Sequence, residues 1–204
     1  MSRTSRLVLV TMVAVVTFSC AGKQTFRVPP RVDLKQHEMV GLIEFSSSTG
    51  GELGPLVTRR FTEMARRDQG MVRIVALGSE ADVAGMSPKA LQALGREHGV
   101  QTILTGKLTI SKVRPDIRIG AGLRSGSLSA RVDAALAVQL IETSTGASIW
   151  STSARATQSV GHISVFKGGD FVFDADDPER AYGGLVDILV GQATQDFRVT
   201  WERR

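Results

Sequence analysis

Cys20 is the only thiol in the chain, and it stands in Thr17-Phe18-Ser19-Cys20-Ala21 directly behind an apolar run. A lone cysteine cannot close a disulfide within its own chain or build a cysteine-rich metal site. The other residues with chemistry to offer are scattered. Asp170, Asp174, Asp176 and Asp177 are oxygen-rich, but their spacing departs from that of a calcium loop and helix capping accounts for two of them. His37, His98 and His162 lie far apart, and none stands in a metal-ligand pair. Ser46 to Gly51 resembles a phosphate-binding loop between a strand and a helix, yet it lacks the Gly-Lys-Ser/Thr ending, so a plain turn is favoured. No Gly-x-Ser-x-Gly elbow offers a nucleophile. The expectation is therefore a protein that is not an enzyme, with no catalytic residue, no metal and no cofactor.

One cluster remains. Arg59, Arg60, Arg66 and Arg67 line the polar side of a helical pattern and form a candidate surface for a partner or for lipid headgroups. Over the whole chain the charge balance argues little: 25 Lys and Arg face 20 Asp and Glu, and 23 basic residues remain once Arg3 and Arg6 are set aside. So small a surplus over 204 residues does not point to nucleic acid.

Arg3 and Arg6, the apolar stretch Leu7 to Phe18 and small Ser19 have the layout of a secretory signal. The stretch is shorter than the roughly 20 apolar residues that a spanning helix needs. Thr17 to Ala21 resembles a bacterial lipobox, although Thr17 replaces the usual leucine. That resemblance implies a signal peptide over residues 1–19 and a mature chain beginning at Cys20, which would carry a diacylglyceryl thioether and an amine-linked acyl chain such as palmitate. Two or more acyl chains suffice for stable anchoring. Ala21 in place of an aspartate resembles lipoproteins sent to the periplasmic side of the outer membrane. Residues 20–35, with Pro29-Pro30 and no helical or strand period, read as the lipidated cysteine and a flexible tether.

The domain expected over 36–204 follows from its patterns. Glu38 to Phe45 is a short apolar strand, and Leu53, Leu56, Val57, Phe61, Met64 and Ala65 mark one face of a helix. Met71 to Leu77 is a second strand. Ser87-Pro88 starts a helix with Leu91, Leu94 and His98 on its inner face, and Gly99 ends it. Thr102 to about Lys112 is a half-buried third strand. Alternation from Ile117 to Leu140 across Ser125-Gly126 predicts a long antiparallel excursion, and Thr143 to Gly146 turns into a strand over Ile149 to Thr157. His162 to Phe173 is a small hairpin or loop. A helix from Pro178, capped by Asp176 or Asp177, presents Tyr182, Leu185, Val186, Leu189, Ala193 and Phe197 along one face. Trp150, Tyr182 and Phe197 are expected in the core rather than on a ligand platform. The fold class is α/β: a mixed sheet flanked by helices in a single domain.

Three stretches then carry a family resemblance: Met39 to Phe45, Gly99 to Leu108 and Val138 to Trp150, behind the lipoprotein signal. Together they resemble the CsgG-like superfamily of envelope lipoproteins, which includes curli-secretion, holdfast-anchoring and penicillin-binding-protein activator lipoproteins. The resemblance spans roughly residues 36–200. It implies a non-enzymatic lipoprotein, lipid-anchored through Cys20, that assists assembly or export of cell-envelope material through contacts with an envelope protein or with its own copies. The alternatives it leaves open are a subunit of an oligomeric curli-type secretion channel and a regulator docking on a peptidoglycan synthase. For the channel, 112–135 has the alternation of a membrane hairpin but carries Arg114, Asp116, Arg118, Arg124, Arg131 and Asp133, and each arm of 162–173 is too short to span.

Overall fold

The structure, a computed structural model, describes residues 25–49, 51–79, 86–119, 126–161, 164–165, 171–172 and 178–203. Two compact units share them: Pro30–Arg198, and Met1–Pro29 with Val199–Arg204. The second is, among the described residues, a ribbon in which β1 (Thr25–Val28) pairs antiparallel with β10 (Thr200–Arg203).

Pro30–Arg198 is an α/β unit built on a six-stranded mixed sheet. Its order is β4 (Ile74–Ser79), β2 (Val40–Glu44), β5 (Thr102–Ile119), β6 (Gly126–Glu142) and β7 (Ser148–Gly161), with the two-residue β3 (Ser46–Ser47) also on β5. β4 and β5 both run parallel to β2, whereas β5, β6 and β7 form an antiparallel meander. From β2 the chain steps to β4 on one side and then crosses back over β2 to β5. Right-handed crossovers in opposite directions must put their helices on opposite faces of the sheet. The cores agree: α1 (Leu53–Gln69) buries Leu56, Val57 and Phe61 with Leu42 and Leu104, while α2 (Pro88–His98) buries Leu91 with Ile43 and Ile103.

The helix ends follow the sequence signals. Ser87 accepts the Ala90 N–H, Pro88 opens α2, and Gly99 stops it with φ +64°. α3 (Pro178–Ala193) packs beside α1, burying Tyr182, Leu185, Val186, Leu189 and Ala193. The residues that would cap it, Asp176 and Asp177, lie outside the described residues. Phe197 is fully buried but sits on the short 3-10 turn Gln195–Phe197 after α3, so helical spacing is not what directs it inward. His98, the last residue of α2, is exposed; Leu91, Leu94 and Gly95 carry that inner face.

An aromatic chain runs through the larger core. Phe45 and Phe61 have ring centroids 5.3 Å apart, Phe61 meets Phe197 edge-on at 5.8 Å, and Phe197 lies 5.1 Å from Trp150. Such tilted and edge-on contacts add to the apolar burial. Gly106 makes room for it, since a Cβ there would come within 2.7 Å of the Phe45 ring. Trp150 Nε1 donates to Asp196 Oδ2 at 3.1 Å, which satisfies its polar edge.

Residues 25–35 are the main departure from expectation. In place of a free tether, Thr25–Val28 is a strand, Leu34 opens a 3-10 turn capped by Asp33 and is 1% exposed, and Val32 packs against the core. No period marks the 30–36 part because its backbone groups are held by hydrogen bonds to distant residues rather than by an amphipathic face. The Val32 N–H donates to Asp196 O, the Leu34 N–H donates to Gln69 Oε1 at 2.7 Å, and Gln69 Nε2 donates to the carbonyls of Val32 and Phe197. Gln69 is itself buried at the end of α1. Gln69→Leu orphans one N–H and two C=O groups, and urea denaturation of the variant is expected to show a loss of about 2–4 kcal/mol; a loss below about 0.5 kcal/mol would remove Gln69 as the clasp.

Candidate functional site

The predicted site residues separate in space. Cys20 lies outside the described residues. Arg59, Arg60, Arg66 and Arg67 all sit on α1, but the first two turn toward α3. Arg59 Nη2 is 2.8 Å from Glu179 Oε2, and Arg60 Nη2 is 2.5 Å from Glu179 Oε1. Arg60 also lies 3.6 Å from both Glu63 and Asp187. The two helices on this face of the sheet, α1 and α3, are thus tied together by part of the basic stripe. Arg67 reaches Asp68 at 3.4 Å and Met64 Sδ, leaving Arg66 exposed at the last turn with no ion-pair partner among the described residues. Two arginines of the stripe thus join α1 to α3, Arg67 pairs within its own helix, and Arg66 alone of the four has no such partner among the described residues.

The turn after β2 is not an anion cradle. Ser46 and Ser47 form β3 against Lys107 and Leu108, the Ser48 N–H donates to Leu108 O, and Ser48 Oγ accepts the Ile110 N–H. Glu52 is the N-cap residue of α1, so a negative charge already stands at the helix start, although its side chain makes no cap hydrogen bond. Among the described residues no group of three His, Cys, Asp or Glu is placed to hold a metal. His37 and His98 are on separate elements, and Asp170, Asp174, Asp176, Asp177 and His162 lie outside the described residues. Burial pushes the Tyr182 hydroxyl above its ordinary pKa, holding it neutral in the core under α3.

The broad feature that the sequence did not single out is the outer face of the meander. On β6, Val132, Ala134, Leu136, Val138 and Leu140 turn inward to α1 and α3. The residues between them, with their partners on β5 and β7, face the other way. Register sets Lys107 beside Ala137 and Ser153, Thr109 beside Ala135 and Arg155, and Asp133 beside Thr157. Small side chains and exposed cations make this face open and shallow. Asp133 is engaged, accepting from Arg114 Nη2 at 2.9 Å and Thr157 Oγ1 at 2.7 Å, and Ser111 and Arg155 help line a depression of about 400 Å³ beside it. A second hollow, about 570 Å³, opens between α2 and the β6–β7 turn and is lined by Gln92, Arg96, Gln101 and Glu142. Alternation of small polar with branched apolar residues is the sequence signal for the open face.

The described arms of 112–135, residues 112–119 and 126–135, do pair antiparallel as expected: β5 and β6 stay in register from Thr102↔Glu142 to Ile119↔Gly126, with one irregularity between Ile110 and Lys112. The later excursion contains two-residue strands, β8 (Ser164–Val165) and β9 (Phe171–Val172). No helix among the described residues is long and apolar enough to cross a membrane.

No family model matches the chain, and no curated protein matches it. Among solved structures it is similar to a PelC dodecamer from Paraburkholderia phytofirmans, with TM-score 0.44 and 12% identity over 86% of this chain and 98% of that one. It is also similar to lipoprotein GNA1162 from Neisseria meningitidis, with TM-score 0.41 and 14% identity over 76% and 96% of the two chains. The LpoB C-terminal domain from Salmonella enterica gives TM-score 0.39 and 14% identity over 64% and 86%. These values establish neither a shared family nor a shared activity.

Two measurements check this geometry. A double-mutant cycle on Arg60→Ala and Glu179→Ala should return a coupling of up to about 1 kcal/mol that shrinks in high salt; zero coupling would remove Arg60 from the joint between α1 and α3. The raised Tyr182 pKa favours the neutral form in the fold, so its contribution is complete below the unfolded value near pH 10 and is lost as pH rises beyond it. Alkaline titration of stability should therefore fall less steeply in Tyr182→Phe; identical slopes would contradict it.

Proposed function

We propose that this chain is a non-enzymatic envelope lipoprotein, anchored by acyl chains on Cys20 to the periplasmic side of the outer membrane, that assists assembly or export of envelope material by binding another protein. The observation that carries this reading is the order of charged start, apolar run, small residue and sole cysteine, ending five positions before the first described strand. The open face of β5, β6 and β7 supports the binding part. Its small side chains allow close approach of a partner backbone, while Lys107 and Arg155 stand exposed on it to set register with an acidic surface. The partner is either a second envelope protein or another copy of this chain, and a peptidoglycan synthase is one such partner class.

The channel-subunit reading draws on one specific feature, the length of the β5–β6 hairpin, whose arms exceed the roughly 9 to 11 residues a spanning strand requires. Against it, Arg114 and Asp133 form an ion pair on that hairpin, which suits water or a lumen rather than lipid. Light scattering of the detergent-extracted protein separates the two: a small particle supports the binding module, and a large ring supports the channel.

The anchor has its own test. Cells fed labelled palmitate should incorporate it into the wild-type chain but not into Cys20→Ser, and the variant should leave the membrane pellet. Absence of label from the wild-type protein would overturn the lipoprotein reading.

A further inference from the structure

The β1–β10 ribbon has only four residues in each strand, a size at which a two-stranded sheet is marginal in water. It nevertheless exposes its two largest apolar side chains, Phe26 at 49% and Trp201 at 65%. Directly opposed residues of an antiparallel pair share a face, so the register puts Trp201 beside Arg27 on one side and Phe26 beside Glu202 on the other. The first face therefore pairs an indole with a cation, and the second pairs a phenyl ring with an acid.

Position and charge say what the indole face meets. Cys20 precedes β1 by five residues, and a chain of that length reaches at most about 18 Å when fully extended. Residues 21–31 contain Lys23, Arg27 and Arg31 and no acid, and the chain ends Glu202-Arg203-Arg204. An exposed indole has an apolar body and a polar N–H, which suits it to the headgroup layer, and cations beside it favour anionic headgroups. We infer that the Trp201–Arg27 face of the ribbon is a second membrane contact, which binds an anionic phospholipid surface and seats the C-terminal strand on the bilayer that the Cys20 acyl chains enter. This inference rests on the lipid-anchor reading, since the anchor is what brings the ribbon within reach.

The test uses the unlipidated form beginning at Gly22, which keeps every described residue, with vesicles of phosphatidylcholine alone or with about 30% phosphatidylglycerol. The protein should partition onto the anionic vesicles several-fold more than onto neutral ones, and Trp201→Ala and Arg27→Gln should each lower that partitioning several-fold. Phe26→Ala, on the other face, should change it less than two-fold. On the unsubstituted protein, bromine-labelled lipid should quench part of the tryptophan emission; Trp150, bonded to Asp196 in the core, supplies the unquenched remainder. No binding, equal binding to both vesicles, or absence of quenching would overturn the inference, as would Trp201-dependent self-association in place of vesicle binding. Palmitate labelling separates the two readings: labelled Cys20 with no vesicle binding removes the ribbon contact and keeps the anchor, whereas anionic vesicle binding without label removes the anchor and keeps the affinity of the face.

Discussion

The carboxamide of Gln69 ties three parts of the chain that no hydrophobic face could align. Its oxygen accepts from Leu34, and its nitrogen donates to the carbonyls of Val32 and Phe197, so the entry segment, the end of α1 and the turn after α3 share one buried polar group. Buried hydrogen bonds contribute modestly when made and cost much more when one partner is missing, which makes such a clasp all-or-none. Arg198 reinforces the turn, with Nε 2.7 Å from Asp68 Oδ2 at the residue before Gln69. Phe197 follows from the clasp: with its carbonyl held, its ring is set between Phe61 and Trp150. The register of the entry segment against the rest of the domain is thereby fixed by backbone chemistry.

The sheet above this clasp is asymmetric. α1 and α3 cover one face along β5, β6 and β7, whereas α2 covers the other face mainly at Ile43, Ile103 and neighbouring Ile141. An antiparallel sheet tolerates one wet face, and the alternation here is clean: Leu136 and Val138 inward, Ala135 and Ala137 outward. This open face combines Ala, Ser and Thr with the exposed Lys107 and Arg155, and its small side chains leave room for close approach.

Much of this was readable before any coordinates. The 3.6-residue spacing from Leu53 to Ala65, the Ser87-Pro88 start, the Gly99 stop and the Thr143 to Gly146 turn each rest on local rules, and each stands where those rules put it. What escaped was non-local. β1 and β10 lie at opposite ends of the chain, and a four-residue strand leaves no period to detect. Gln69 reads as one more polar residue at a helix end until the 35-residue separation to Leu34 is closed. The arginine stripe lies on α1, as its helical spacing predicts, but its division depends on Glu179, 119 residues from Arg60. The open face needed the register between three strands, which alternation within each strand implies but does not supply. Cys20 remains a statement of the sequence alone.

These observations converge on where the folded unit begins: residues 30–36 belong to it, so composition alone overstates the length of any tether. Amide hydrogen exchange, resolved at Val32 and Leu34 in the form beginning at Gly22, tests that most directly. Both N–H groups have partners, the Asp196 carbonyl and the Gln69 side chain. The account predicts exchange at both slowed by about 100-fold or more relative to an unstructured peptide. Exchange at the unstructured rate, with the core strands still protected, would contradict it and restore a flexible tether through residue 35.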